Sequence, residues 1–452
     1  MAASGGGDIA GCSSFFKEHI CHAEKTFANI IAIGALADLS VQHEVTSDSK
    51  SKGERDMKTS LALPFTRHSK LPNHVSFLFA FFITLMVAWV GDAWGDDDEA
   101  KSDLVIVEIG NLGGYSSRVN AVSADGRTLV GRSEIEQSTA LSHHAFLWTA
   151  DGRMQDLGTL EATSKYGRKY HMISAATGVS ADGSVVVGFS NHVTYAPEYI
   201  GLRAFRWTPD GGMIDLGALG GADSKATAVS ANGKVVVGWA YTQPLDVHAF
   251  RWVDGVMADL GTLGGKASYA NAVSSDGSVV VGFSGTGRTS HAFRWTAKDG
   301  MQDLGTLGGA KSAASAVSAD GRVVVGSSET AEGVEHAFRW TAKSGMQDLG
   351  TLGNAGDLSR AKLVSADGRV VVGGSVIDGR FHAFRWTADS RMQLVTDWLA
   401  ASGVVLPDGA ILYDAKGISA DGSTLVIEIY PGVGLAHALA VVKSAKDKKS
   451  AP

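Results

Sequence analysis

The residues from Thr306 to Gly350 read TLGGAKSAASAVSADGRVVVGSSETAEGVEHAFRWTAKSGMQDLG, and this stretch decides the fold. It contains the short runs SAVSA, VVVGSS and HAFRWT and the start of a fourth, MQDLGTL, which ends at Leu352; Gly-, Ser- or Asp-containing turn signals separate the runs. β-Branched and aromatic residues are frequent in these runs, and none of the runs has the spacing of an amphipathic helix. The stretch therefore predicts four β-strands joined by short turns.

The same pattern recurs along the chain after Ser102, and seven copies are visible. A Ser-Ala-Asp-Gly-like tetrad has its acidic or amide residue at Asp125, Asp182, Asn232, Asp276, Asp320, Asp367 and Asp421. A His-Ala-Phe triplet begins at His144, His248, His291, His336 and His382, with Arg203 in the second copy. A tryptophan follows each Phe two residues later, at Trp148, Trp207, Trp252, Trp295, Trp340 and Trp386. An Asp-Leu-Gly begins at Asp156, Asp215, Asp259, Asp303 and Asp348.

Four strands in a period of 44 or more residues are typical of a propeller blade. The prediction is an all-β, seven-bladed β-propeller with four-stranded antiparallel blades over residues 103–443. The segment 105–109 resembles a fourth strand without its first three, and the last copy ends at the third strand, His437–Val442. We therefore expect strand 105–109 to join the last blade and close the ring, because an open array would leave unpaired edges. Residues 444–452 are expected to form a disordered tail, and Trp398–Ser402 one helical turn.

The HAF…WT…MQDLGTLGG…AVSADG…VVVG pattern resembles the HAF-repeat family of bacterial extracellular repeat proteins over about residues 103–442. The resemblance implies export and repeated β-structure. It implies no defined activity, because that family is recognised by its repeat alone. Some relatives carry an autotransporter barrel or a sorting tail, and nothing resembling either follows Val442 in this chain.

The segment before the repeats has the features of a secretion signal. Residues 77–90, FLFAFFITLMVAWV, are fourteen uncharged and almost wholly apolar residues with a basic segment before them. This run is short for a membrane-spanning helix and suits a signal peptide over 57–95, with cleavage after Ala93 or Gly95. An uncleaved signal anchor is the alternative. We expect translation to start at Met57, which would make residues 1–56 a non-structural extension, and residues 96–104 to form an acidic linker.

Composition excludes several classes of function. The net charge is −7 and only 19% of residues are charged, which argues against a nucleic-acid partner held by bulk charge. The two cysteines, Cys12 and Cys21, precede the repeats, so the repeats hold neither disulfides nor a Cys-ligated zinc site. We expect no membrane embedding after signal cleavage, and no metal or cofactor.

The repeated residues are interpreted as structural. One histidine per blade is spread around a ring, so we expect each imidazole to bond within its own blade, to the tetrad Ser or Asp, rather than to join a metal site. The tryptophans are expected to pack between blades. The tetrad aspartates are expected to form turns, since no calcium-loop spacing is present.

Function is sought where the copies differ. In a four-stranded meander the tetrad turn and the turn after the tryptophan open on one face, and the other two connections open on the opposite face. Repeat two has both of the latter expanded, at 161–172 and 191–203. They carry basic and aromatic residues that suit a glycan or a protein ligand. The predicted ligand-binding residues are Lys165, Tyr166, Arg168, Tyr170, His171, Tyr195, Glu198 and Tyr199.

The sequence thus predicts an exported binding module, periplasmic or at the cell surface, with a protein or glycan partner and no assigned catalytic residue. No G-x-S-x-G, H-E-x-x-H or phosphate-loop motif occurs. One alternative is an extracytoplasmic enzyme such as a polysaccharide lyase or hydrolase, using His171 with Glu198 or Glu134 with His143. The other is an architectural surface protein or a tolerated insertion without a ligand.

Overall fold

The structure is a computed structural model that describes residues 103–107, 109–135, 142–160, 173–195, 198–243, 246–354, 356–406, 411–430 and 438–443. The predictions for the extension 1–56, the signal peptide 57–95, the linker up to residue 102 and the tail 444–452 lie outside these residues. In the described part of the chain, no helix is long and apolar enough to cross a membrane.

The described strands form four-stranded antiparallel sheets, most of them built from consecutive strands. The first strand of the described residues, β1, is Asp103–Val107. Sheet 1 contains β2 (Gly113–Val122), β3 (Thr128–Ile135), β4 (His143–Thr149) and β5 (Met154–Asp156). Sheet 2 contains β6 (Ser174–Val179), β7 (Val186–Tyr195), β8 (Glu198–Thr208) and β9 (Gly212–Asp215). Sheet 3 contains β10 (Gly220–Val229), β11 (Val235–Thr242), β12 (Val247–Val253) and β13 (Val256–Asp259).

The remaining sheets follow in the same order. Sheet 4 contains β14 (Ser268–Val273), β15 (Val279–Gly285), β16 (Ser290–Thr296) and β17 (Gly300–Asp303). Sheet 5 contains β18 (Gly308–Val317), β19 (Val323–Thr330), β20 (Glu335–Thr341) and β21 (Gly345–Asp348). Sheet 6 contains β22 (Ser359–Val364), β23 (Val371–Ile377), β24 (Arg380–Thr387) and β25 (Arg391–Leu394). Sheet 7 contains β26 (Ile411–Ile418), β27 (Thr424–Tyr430), β28 (Ala438–Lys443) and, from the other end of the chain, β1.

The fold is an all-β propeller with four-stranded antiparallel blades, so the predicted class and the predicted type of blade are confirmed. β1 pairs antiparallel with β28, with Ile106 opposite Ala440. The strand was expected at 105–109 and lies at 103–107. The reason is that Ile109 is buried between sheets, packed with Val119 of sheet 1 and Val426 of sheet 7, where the other repeats place the leucine of Asp-Leu-Gly.

The hydrophobic core lies between neighbouring sheets. Sheets 1 to 6 each bury one phenylalanine completely, namely Phe146, Phe205, Phe250, Phe293, Phe338 and Phe384. Val187 of sheet 2, for example, packs in one cluster with Val236 and Phe250 of sheet 3. Because adjacent sheets share these clusters, each sheet depends on its neighbours for burial.

The glycine of Val-Val-Val-Gly is required by close backbone approach. A Cβ on Gly282 would lie 1.9 Å from the carbonyl oxygen of Tyr269 on the facing strand. The register of that pair shifts just beyond this contact, between Ala270 and Ala272. A side chain there would therefore push the two strands apart at the bulge.

The helix α1, Val395–Ala401, is the one α-helix among the described residues. It is longer than the predicted single turn at 398–402 and buries Val395, Trp398 and Leu399. These side chains pack with Val372 of sheet 6 and Leu425 of sheet 7. The helix therefore fills the junction between those two sheets.

A buried serine joins each pair of neighbouring sheets from sheet 1 to sheet 6. Ser268 Oγ of sheet 4 accepts a hydrogen bond from the Ala249 N–H of sheet 3 at 2.8 Å. The same hydroxyl donates to the Gly261 carbonyl oxygen at 2.6 Å. The equivalent serines, each buried, are Ser174, Ser224, Ser312 and Ser359. One hydroxyl thus satisfies a buried N–H donor and a partly buried carbonyl acceptor.

We expect Ser268→Ala to lower the free energy of unfolding by about 1–3 kcal/mol, because the Ala249 N–H and the Gly261 carbonyl both lose their buried partner. Urea denaturation followed by tryptophan fluorescence measures the change. The matched control is Ser275→Ala, an exposed serine of the same repeat at a position where most other repeats have alanine, for which we expect a change within about 0.5 kcal/mol. Equal effects of the two substitutions would contradict the role given to Ser268.

Candidate ligand-binding face

The connections of the meander divide between two faces of the propeller. The turn between β18 and β19, which holds the tetrad, and the turn between β20 and β21 lie at one end of sheet 5. The connections β19–β20 and β21–β22 lie at the other end. We call the second end the variable face, because the connection lengths differ there between repeats, most of all in sheet 2.

The tetrad residues shape the turns on the opposite face. Ser318 Oγ donates to Asp320 Oδ1 at 2.6 Å, and the Arg322 N–H donates to the same oxygen at 3.0 Å. The other copies repeat this geometry at Asp125, Asp182, Asn232, Asp276, Asp367 and Asp421. This is the arrangement expected of turn-forming residues.

The repeated histidines pair with a different aspartate from the one predicted. Nδ1 of His291 lies 2.8 Å from Oδ2 of Asp303, the aspartate of Asp-Leu-Gly. The same pairing joins His144 to Asp156, His248 to Asp259 and His336 to Asp348. The prediction of a tetrad partner is wrong because the tetrad lies at the far end of the sheet, whereas Asp303 is on the adjoining strand, opposite Phe293.

Two sheets depart from this pairing. In sheet 2, Arg203 replaces the histidine, and its Nε lies 4.0 Å from Oδ2 of Asp215. In sheet 6, His382 has Leu394 at the aspartate position. Each pair stays within its own sheet, and the described residues contain no group of three or more His, Cys, Asp or Glu side chains that could hold a metal ion.

The tryptophans lie between sheets. Trp207 of sheet 2 packs in one cluster with Val130 and Leu147 of sheet 1. Trp148, Trp207 and Trp386 are buried, whereas Trp252, Trp295 and Trp340 are half-buried against the clusters of their neighbours. They are placed to stabilise the contacts between sheets rather than to form one surface.

The predicted repeat-two site is described only in part. Lys165, Tyr166, Arg168, Tyr170 and His171 lie outside the described residues. Tyr195, Glu198 and Tyr199 lie on a hairpin in which Tyr195 pairs with Glu198 and Thr194 with Tyr199.

The middle connection of repeat two is therefore not the loop predicted over 191–203. It is an elongation of β7 and β8, because the β-branched and aromatic residues in this segment continue the strand pattern. His192 lies on this hairpin opposite Gly201. Burial and then the charge of Arg203 lower its pKa.

A row of side chains that the sequence analysis missed lies on the variable-face side of the Val-Val-Val core. It consists of Phe189, Lys225, Trp239, Tyr269 and Phe283, and we call it the aromatic row. Lys225 Nζ of sheet 3 lies 4.6 Å from the ring centroid of Phe189 in sheet 2. The rings of Trp239 and Tyr269, in sheets 3 and 4, meet edge to face at 6.0 Å.

The row ends in a stacked pair. The rings of Tyr269 and Phe283 have centroids 4.8 Å apart and planes 21° apart. All five residues are half-buried. The sequence does carry a signal for this row. The position after Val-Val-Val-Gly varies, although the rest of the strand is nearly constant. In repeats two to five this position holds Phe189, Trp239, Phe283 and Ser327.

The row includes a cation in a partly desolvated environment. Burial lowers the pKa of Lys225, and the charge of Arg132 from sheet 1 lowers it further. Burial also raises the pKa of Tyr269, which keeps its hydroxyl as a hydrogen-bond donor at neutral pH. The row therefore combines flat aromatic faces with positive charge and a phenol.

Glu134 and His143, considered as an acid–base pair, stand directly opposite each other in sheet 1. Hydrogen bonds from the Ser116 hydroxyl and the Tyr115 N–H lower the pKa of Glu134. A carboxyl with a lowered pKa is ionised at neutral pH, so this geometry does not favour Glu134 as a general acid.

No protein-family profile matches the chain, and no curated protein matches it. Among solved structures it is similar to TolB from Acinetobacter baumannii, at 14% identity and a TM-score of 0.39, covering 60% of this chain and 63% of that one. It is also similar to the β-propeller domain of the trilobed protease from Pyrococcus furiosus, at 8% identity and a TM-score of 0.47. The match covers 75% of this chain and 100% of that domain.

A third similar structure is oligogalacturonate lyase from Vibrio parahaemolyticus, at 9% identity and a TM-score of 0.44, covering 76% of this chain and 97% of that one. The chain thus covers less than two thirds of the length of the TolB structure. At these identities the likeness concerns the propeller fold and carries no argument about activity.

Hydrogen bonds in the tetrad turn lower the pKa of Asp182 from 3.8 to about 2, chiefly those from the Ser180 hydroxyl and the Ser184 N–H and hydroxyl. Its ionised form therefore stabilises the fold above the unfolded pKa of 3.8, and this contribution is lost as the pH falls towards about 2. Asp182→Asn removes the titration, and repeat three has Asn232 at this position. We expect the midpoint of urea unfolding to fall less steeply between pH 4 and pH 2 in this variant. Parallel curves for variant and native protein would contradict the assignment.

Proposed function

We propose that the protein is an exported, non-catalytic binding module whose variable face takes up a glycan or a protein. The aromatic row carries this proposal. Half-buried aromatic rings with an adjoining Lys225 suit sugar rings or peptide side chains, since such groups gain both apolar contact and hydrogen bonds. The rest of each repeat is occupied by core packing and turn formation, which leaves the varied positions for recognition.

We also propose that the sheets close as a seven-bladed ring. Seven four-stranded sheets support this number, together with contacts between the first strands of successive sheets and between β26 and β2. A closed ring holds the varied positions of neighbouring sheets at fixed distances. The face then presents one continuous surface.

The expanded segments of repeat two extend this surface. The β7–β8 hairpin rises from the same strand that holds Phe189. The segment 161–172 precedes β6 of the same sheet in the sequence, and its Lys165, Tyr170 and His171 are proposed to take part in binding. Export through the signal at 57–95 would place this surface in the periplasm or outside the cell.

We expect Lys225→Met to weaken ligand binding about tenfold, because the change retains the apolar stem and removes the charge held over Phe189. Binding is found first with a glycan array and with pull-down from an extracytoplasmic extract. The affinity of each ligand identified is then measured by calorimetry with native and variant protein.

The matched control is Lys234→Met, because Lys234 is exposed in the tetrad turn of the same sheet, on the opposite face. Its affinity should equal that of the native protein. Equal losses in both variants, or no saturable ligand, would contradict the proposal. Turnover of a glycan lost on changing His171 or Glu198 would favour an enzyme instead.

A further inference from the structure

A cleft of about 320 Å³ opens between sheets 4 and 5. Its walls include Phe283 of sheet 4 and Lys311, Ala313, Ser327, Glu329 and Glu335 of sheet 5. Its volume lies at the small end of the range for ligand pockets and suits one ring-sized group.

The cleft exists because two positions of the repeat hold small residues here. Ala313 pairs with Ser327, at the positions that hold Lys225 with Trp239 in sheet 3. In sheets 3 and 4 the large residue of the first strand, Lys225 or Tyr269, reaches across to a ring of the preceding sheet. Ala313 cannot reach Phe283 in this way, so the space between sheets 4 and 5 stays open.

The carboxylates of the cleft are paired with cations. Glu329 Oε1 lies 3.8 Å from Lys311 Nζ. Glu335 Oε2 lies 2.6 Å from Nη2 of Arg360 in sheet 6 and 2.9 Å from its Nε. Burial works to raise the pKa of Glu335, but hydrogen bonds from Arg360 and Ser327 outweigh it and lower the pKa.

Since each charge is balanced, an added ion of either sign would meet a like charge. A neutral molecule with several hydroxyls could instead donate to the carboxylates and accept from Lys311.

Phe283 supplies an apolar surface next to these polar groups. One face of its ring is covered by Tyr269. Phe283 lines the cleft together with Ala313, Glu329 and Glu335. An aromatic face beside paired hydrogen-bonding groups matches a molecule with an apolar C–H face and an equatorial rim of hydroxyls.

We propose that this cleft binds one neutral hexopyranose unit of a glycan, with the sugar ring stacked on Phe283 and its hydroxyls bonded to Glu329, Glu335 and Lys311. The inference rests on the proposed binding function of the variable face and identifies the class of ligand there. The proposed sugar-binding position lies at the end of the aromatic row that is formed by Phe283.

The test uses the full chain and saturation-transfer NMR with the methyl glycosides of glucose, galactose, mannose and N-acetylglucosamine, and with glucuronate and glucosamine as charged probes. We expect transfer to at least one neutral glycoside, with a millimolar dissociation constant as is usual for a single small fragment. Ala313→Tyr should abolish it by filling the cleft, and Ala313→Ser should retain it. The tyrosine has a precedent in Tyr269 at the same position of repeat four, so melting temperature should stay within a few degrees of native.

Transfer that is equal in native and Ala313→Tyr protein would overturn the inference, as would preference for glucuronate or glucosamine. If transfer that survives Ala313→Tyr is lost in Lys225→Met, the sugar binds beside Lys225 and Phe189 and not in the cleft at Phe283, so the cleft inference fails and the proposed function stands. No transfer from the native protein to any probe also overturns the cleft inference. The proposed function is then decided by its own array and pull-down measurements.

Discussion

The pairing of β1 with β28, from opposite ends of the repeat region, is the constraint on which the rest of the structure depends. β1 completes the sheet of β26, β27 and β28, with Val105 opposite Val441. Without this pairing, β28 would be an unpaired edge and Ile109 would lose its place between sheets 1 and 7. In the closed ring that we propose, this pairing would also fix the spacing of the residues on the variable face.

Within the ring, repeated and varied residues have separate tasks. Ser268 and its equivalents bridge neighbouring sheets, His291 and Asp303 join adjoining strands, and the tetrads form turns. These contacts recur nearly unchanged in most of the described sheets, so they account for folding and do not distinguish one sheet from another. The side chains that differ from sheet to sheet, such as Lys225 and Tyr269 on the aromatic row and Ala313 in the cleft, all lie on the variable-face side of the core. That separation is why the function is sought there.

Much of the fold could be predicted because the strands and turns of each repeat are determined by short local sequence patterns. Valine runs, aromatic triplets and Asp-Gly turns identify the four strands, and the unequal ends of the repeat region identify the strand that pairs with β28 to within two residues. The histidine partner was predicted wrongly because the register between β16 and β17 decides it, and the sequence shows only that both residues recur. The length of the segment 191–203 predicts a loop, whereas its strand-forming composition favours the hairpin that the structure shows.

The candidate site could be predicted less well, for a related reason. Phe189 and Lys225 are far apart in the sequence and meet only because sheets 2 and 3 pack face to face. The cleft at Ala313 could not be predicted from the sequence either, because alanine is common in the strands and one more alanine does not indicate an open space. Sites of this kind arise from the juxtaposition of positions in neighbouring repeats, which composition and spacing within one repeat do not reveal.

Disulfide trapping across the closing strand tests the account most directly. In a chain with Cys12 and Cys21 changed to Ser, Ile106→Cys and Ala440→Cys are introduced together, because directly opposite antiparallel residues meet the distance needed for a disulfide. Peptide mapping by mass spectrometry after mild oxidation should find a disulfide within one chain that joins the two introduced cysteines. It should find none when Ile106→Cys is combined with Ser344→Cys in sheet 5. Closure would be contradicted if the first pair formed no bond within one chain or only bonds between chains.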